Sequence, residues 1–157
     1  MCVSADYFPM EKLSLARGRM FNAEDDRTLR RAAILGANIA FKFFGSPDSA
    51  SYIDPVGQKI SIGDFGEVEV IGILDPEPPS LLASFNSYDT TNNGTIFVPH
   101  SASTRFGGST DTWDLLVEAA SPETVERAER AILSLLARNH GTWDGENKFI
   151  LESGKSA

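Results

Sequence analysis

The sequence predicts an α+β fold: a β-rich lobe with short helices over residues 1–111, then a C-terminal β-α-β unit over residues 112–157. Two period-2 apolar runs, Lys59 to Ile62 and Glu67 to Leu74, flank the turn Gly63-Asp64-Phe65-Gly66 and predict a hairpin. Thirteen Gly and eight Pro, scattered along the chain, suit a loop-rich fold better than a helical bundle. From Trp113 onward an alternating run gives way to a 3.6-residue period and then to a second short apolar run, which is the pattern of strand, helix and strand.

In chain order, Asp6-Tyr7-Phe8-Pro9 reads as a helical turn or a loop entry. Glu24-Asp25-Asp26 suits a helix N-terminus or a solvated turn. Ala32 to Leu35 is a short apolar strand. Ala37 to Phe44 is a short helix stopped at Gly45, with Phe41, Phe43 and Phe44 expected to anchor a core. Gly18 and Gly57 suit tight backbone turns, and Asp54-Pro55-Val56-Gly57 turns the chain into the hairpin. The second hairpin strand ends apolar on both faces, which predicts a central position. Gly72 within it would let another backbone or a large side chain approach closely.

Asp75 to Gly94 follows as a long irregular stretch, broken by Pro76, Pro78 and Pro79 and ended by the turn signal Asn92-Asn93-Gly94. Leu81, Leu82, Phe85 and Tyr88 lie inside it. These four either fold back onto the core or form a partner-facing patch, and they are the candidate contact residues. Thr95 to Pro99 is a strand, and residues 100–111 a short helix with a Gly-rich loop. Trp113 to Ala119 is expected as a strand. Ser121 caps a helix with Pro122 in its first turn, Val125, Ala128, Ile132, Leu135 and Leu136 form its apolar stripe, and Gly141 ends it. Asn147 to Leu151 closes the unit.

The composition of this 157-residue chain narrows function further. A formal charge of −8 opposes nucleic acid, whose phosphates call for a basic face, and opposes anionic lipid surfaces. The single cysteine, Cys2, allows no internal disulfide. No run approaches the ~20 apolar residues of a membrane span. His100 and His140 have no Cys or His at ligand spacing, so no zinc site is expected. Phosphate-loop, nucleophile-elbow and calcium-loop patterns are absent from the sequence. Asn93-Gly94-Thr95 matches a glycosylation sequon that means little without a eukaryotic secretory setting. No catalytic, cofactor-binding or metal-ligating residue is assigned, and the chain is not expected to be an enzyme.

The order of short motifs adds to this. Val3 to Phe8, Leu15-Ala16-Arg17-Gly18-Arg19-Met20-Phe21, Glu24-Asp25-Asp26, Ala33-Ile34-Leu35-Gly36, Phe43-Phe44-Gly45, Asp54 to Ile60, Val70 to Leu74 and Ile96 to Pro99 follow one another between residues 3 and 99, and the resemblance they carry covers roughly residues 3–150. The series resembles the periplasmic core domain of MacB-like ABC transporter permeases. The resemblance implies a domain at the periplasmic or extracytoplasmic face of the bacterial inner membrane, set between the first two of four membrane spans. It implies a cytoplasmic ABC ATPase domain reached through the membrane part, a homodimer in the full transporter, and room for a periplasmic adaptor protein. Residues 1–111 would be an inserted β-rich lobe, and residues 112–157 half of a porter-type, membrane-proximal lobe. The upstream half of that lobe and the transmembrane segments are missing, so the C-terminal unit is expected to leave an exposed strand edge. A ligand-sensing module for a cationic peptide, as in resistance-type ABC permeases, is the alternative.

Overall fold

The run Glu67 to Leu74 begins by alternating and then loses its polar residues, as a strand does when it passes from a half-exposed to a buried position. A computed structural model describes residues 1–78, 92–105 and 115–140. The chain divides into two compact units, Met1–Trp113 and Asp114–Ala157, each taken by itself below.

In the first unit the apolar run is β5 (Gly66–Leu74), the strand with the most partners. β3 (Ala32–Leu35) runs parallel to it along one edge. The opposite edge is shared: β4 (Lys59–Ile62) pairs antiparallel with residues 66–69, and β2 (Leu15–Gly18) antiparallel with residues 72–74. Beyond β3 lie β6 (Ile96–Pro99), antiparallel to it, and β1 (Cys2–Val3), parallel to β6, so the order is β1-β6-β3-β5-β2 with β4 also on β5. The predicted hairpin is therefore present, and a single 3-10 turn at Gly63–Phe65 joins its strands.

Short helices cover the sheet: α1 (Tyr7–Met10), α2 (Ala23–Arg27), α3 (Ala37–Phe44) and α4 (His100–Arg105). Two cores result. Val3, Phe8, Phe21, Ile34 and Phe97 pack in one, with the Phe8 and Phe97 rings edge to face at 5.3 Å between centroids. Leu35, Ala40, Val68, Val70 and Val98 pack in the other. A bulge explains how β5 feeds both. Ala33 lies opposite Val70 but Ile34 opposite Gly72, so Ile71 is an extra residue that reverses the alternation after it. Ile71 and Leu74 consequently join the first core and Ile73 the second.

Gly18 and Gly72 allow β2 to close on β5. Gly18 has φ of +80°, and a Cβ there would meet the Ile71 carbonyl oxygen at 2.1 Å. A Cβ on Gly72 would meet the Arg19 carbonyl oxygen at 2.7 Å, so the close backbone approach expected at Gly72 is observed. Gly57, at φ +89°, likewise sits in its turn.

One expectation for α3 is corrected. Ala40 and Phe44 face the sheet, and residues 41 and 43 stand about 100° to either side of them, one residue's rotation in a helix. Phe41 and Phe43 are each 61% exposed, and of the three aromatics only Phe44 packs against the core.

In the second unit, Ser121 caps the helix as expected. A 3-10 turn at Pro122–Thr124 leads into α5 (Val125–His140), with Ser121 and Thr124 in a reciprocal capping box. The expected strand before it is not formed by its described part: Leu115–Ala119 has no strand pairing, and Leu115 is 73% exposed. A strand exists only against a partner backbone, and no described residue of this unit supplies one. Val125, Ala128, Ile132 and Leu136 are half-buried, whereas Leu135, expected in the same stripe, is 50% exposed. Trp113, Gly141 and the closing strand at 147–151 lie outside the described residues.

Candidate functional site

Leu81, Leu82, Phe85 and Tyr88 also lie outside the described residues, but both ends of their segment are in view. β5 ends at Leu74, and Pro76 and Pro78 prevent further ladder pairing because proline has no N–H. Asp75 is still held: its N–H donates to the Ser14 carbonyl at 2.9 Å, and the Ser14 hydroxyl donates to its carboxylate at 2.7 Å. Glu77 is held by one side chain. Its N–H donates to Oδ1 of Asn93 at 2.8 Å, and Nδ2 of Asn93 donates to its carbonyl at 3.0 Å.

The returning limb is fixed as firmly. A 3-10 turn at Asn92–Gly94 brings the chain back, and the carbonyls of Asn92 and Asn93 pack onto Gly36, where a Cβ would meet them at 2.1 and 2.4 Å. The Gly36 N–H donates to the Thr95 carbonyl at 2.8 Å. The Tyr7 hydroxyl donates to Oδ1 of Asn92 at 3.2 Å. Burial, and then the charges of Glu11 and Glu77, hold the Tyr7 phenol above its ordinary range, so it remains a donor at any physiological pH. The amide of Asn93, read from sequence as part of a sequon, is thus engaged inside the fold.

A second polar cluster pins α2. Asp25 is 2% exposed and takes a bidentate pair from Arg19, at 2.6 and 2.8 Å, together with the Asn22 N–H at 2.9 Å. The Asn22 side chain accepts from the Asp25 N–H in return, completing a capping box. Of the two sequence readings of the acidic triplet, the helix N-terminus is observed, and Asp25 is not solvated. The bond from Arg19, aided by Asn22 and by the charge of Arg30 and opposed by burial, holds its carboxyl below the usual range.

Other surfaces offer less chemistry. An open apolar groove of about 460 Å³ lies beside β1 and β6, lined by Ile39, Ile62, Phe65, Ile96 and Val98 among others. A cleft of about 360 Å³ over residues 69–71 of β5, flanked by Gly18 at the end of β2 and by the turn at Val56-Gly57, holds the Arg30–Glu69 pair at 2.9 Å. Among the described residues no group of three or more His, Cys, Asp or Glu is placed to hold a metal ion. His100 is exposed at the start of α4. No described helix is long and apolar enough to cross a membrane.

Sequence reading missed Glu77, Asn92 and Asn93 as a working unit. The available signal was the spacing of prolines around Glu77, which leaves a single backbone donor on that limb.

Known proteins supply the frame. The family model for the MacB-like periplasmic core domain matches residues 1–135. The macrolide export ATP-binding/permease protein MacB of Acinetobacter baylyi is 27% identical over 90% of this chain and 20% of its own length. MacB of Nitrosomonas europaea is 33% identical over 83% of this chain and 18% of its own. The pyoverdine export ATP-binding/permease protein PvdT of Pseudomonas aeruginosa is 31% identical over 80% and 17%. The chain thus spans about a fifth of the length of these relatives. Among solved structures, the extracellular domain of the noncanonic ABC-type transporter YknZ from Gram-positive bacteria aligns with a TM-score of 0.67 and 26% identity, over 90% of this chain and 64% of that one. The periplasmic region of MacB from Actinobacillus actinomycetemcomitans shares the fold, with a TM-score of 0.61 and 18% identity over 90% and 56%. With its α+β sheet shared by both solved domains and the family match running from residue 1 to 135, the chain belongs to the family of MacB-like periplasmic core domains.

Proposed function

We propose that this domain is the extracytoplasmic part of a bacterial ABC-type permease, at the periplasmic or outer face of the inner membrane, and that it carries out no bond chemistry. The family match over residues 1–135 carries the reading. ATP hydrolysis by a cytoplasmic cassette partner would be coupled through the membrane part to rigid-body motion of this domain. That motion would act against a homodimeric mate and a periplasmic adaptor, so that export is driven by differential contact between two states. A sheet with a core on each face suits such use, because packed layers move as bodies rather than deform. Residues 1–111 would form the inserted lobe, and residues 112–157 half of the membrane-proximal one.

The contact surface is assigned to Leu81, Leu82, Phe85 and Tyr88. The anchoring of both flanks of their segment supports this, since a fixed base lowers the ordering cost of binding. The test replaces the four by Ser in the full-length transporter. Adaptor-stimulated ATP hydrolysis should fall about tenfold or more while the thermal midpoint of the isolated domain stays within about 2 °C. A midpoint lowered by several degrees with stimulation retained would identify the four as core.

The formal charge of −8 favours one second reading, a sensor of cationic peptides. Calorimetry with a cationic peptide would support it if binding is tight and weakens steeply with salt.

A further inference from the structure

We propose that Asn93 is the positioning residue of the contact segment, a single side-chain amide that clasps both ends of it to the sheet. The inference rests on the proposed reading of Leu81, Leu82, Phe85 and Tyr88 as partner contacts. On the outgoing limb the sequence is Asp75-Pro76-Glu77-Pro78-Pro79. Prolines carry no N–H, so Glu77 is the sole backbone donor between Asp75 and Ser80. A limb of this kind cannot be laddered on both edges, because positions 76 and 78, which face the edge opposite Asp75 and Glu77, carry no donor. It can be held by a group that offers one acceptor and one donor side by side, and a primary amide is such a group. Asn93 meets Glu77 in that way, at 2.8 and 3.0 Å.

The clasp is fastened on its other side to rigid parts of the fold. The Asn92 and Asn93 carbonyls lie against Gly36, the residue between β3 and α3, and the Asn92 side chain accepts from Tyr7 of α1. Glu77 and Asn93 therefore stay at one spacing, and both limbs are fixed to the end of β3. A force applied to the segment by a partner reaches the central strands instead of being taken up by slack at the base.

Hydrogen exchange followed residue by residue by NMR reads the clasp without any partner, because residues 75–79 carry only the Asp75 and Glu77 backbone amides. Glu77 should be protected in the native protein. Asn93→Ala should speed its exchange about tenfold or more while Asp75 and the β5 amides keep their protection. Asn93→Asp separates a clasp from mere packing. At pH 7 the introduced carboxylate can accept from the Glu77 N–H but repels its carbonyl. Below about pH 4 the protonated carboxyl can donate again, so the protection factor should recover in acid. Recovery would support the clasp. A Glu77 amide that is unprotected in the native protein, unchanged by Asn93→Ala, or indifferent to pH in Asn93→Asp would overturn it. In the full-length transporter, Asn93→Ala should reduce adaptor-stimulated ATP hydrolysis as the four-serine change does; full stimulation would refute the positioning role. Were the four-serine change itself without effect, the contact reading would fail while the exchange results still judged the clasp.

Discussion

Replacing Asp25 by Ala tests whether the buried carboxylate, rather than the apolar core alone, holds α2 in place. The change removes the acceptor for three hydrogen bonds, two from Arg19 and one from the Asn22 N–H. Loss of the reciprocal cap costs about 1 kcal/mol. The Arg19 side chain is 41% exposed, so its charge can rehydrate, and losing its partner costs about 1 kcal/mol rather than the several expected of a fully buried pair. The void left by a nearly buried carboxyl adds about 1 kcal/mol. The expected loss is about 3 kcal/mol, read as a lower urea midpoint by circular dichroism at neutral pH. The sign with pH follows from the depressed carboxyl. Its stabilisation is fully present above the unfolded-state value near 3.8 and is lost as pH falls through the lower folded-state value. The gap between native protein and variant should thus be constant from pH 5 to 8 and narrow below about pH 3.5. A deficit under about 1 kcal/mol at neutral pH, or one that persists unchanged in acid, would refute the reasoning.

Gly18→Ala and Gly72→Ala should each cost about 2 kcal/mol or more, and the double variant less than the sum, because both spoil one backbone approach; urea unfolding of the cycle measures this. Phe8→Ala should cost about 3–5 kcal/mol, whereas Phe41→Ser and Phe43→Ser should each change stability by about 0.5 kcal/mol or less, by the same assay. Leu115 and Val117 are exposed, so Leu115→Lys with Val117→Lys should abolish any rise of light-scattering mass with concentration; a rise that persists would refute a role for these side chains in self-association.

Much of the sheet was legible because its strands carry their own signals. The hairpin alternates around a glycine-rich turn, and β3 and β6 are short apolar runs bounded by polar or turn residues. Ser121 and Pro122 marked the start of α5 for a local reason, the unsatisfied N–H groups of a first turn. Legibility failed where local pattern competes with tertiary placement. Phe41, Phe43 and Phe44 look alike as residues, and only the direction in which α3 lies on the sheet decides which of them is buried. Leu115 to Ala119 alternates as a strand should, yet alternation states only a capacity to pair.

The contact segment shows the same division. Its apolar residues could be picked out because apolar side chains among turn residues are conspicuous, but what fixes its base could not. Asn92-Asn93-Gly94 was a turn by any reading, and the turn is there. The further use of Asn93 depends on Glu77 lying across from it, sixteen residues away in the chain. The prolines around Glu77 had already restricted the outcome. They leave that limb one donor beyond Asp75, and a lone backbone donor must be met by another group of the protein or by water. Which of the two was a question of geometry. Gly36 answers it, because the absence of a Cβ there lets the returning carbonyls close on β3 and α3 and brings the Asn93 amide within bonding distance of Glu77. The glycine after β3, the prolines after β5 and the asparagine before β6 are therefore three parts of one joint, and changing any one of them should loosen the other two.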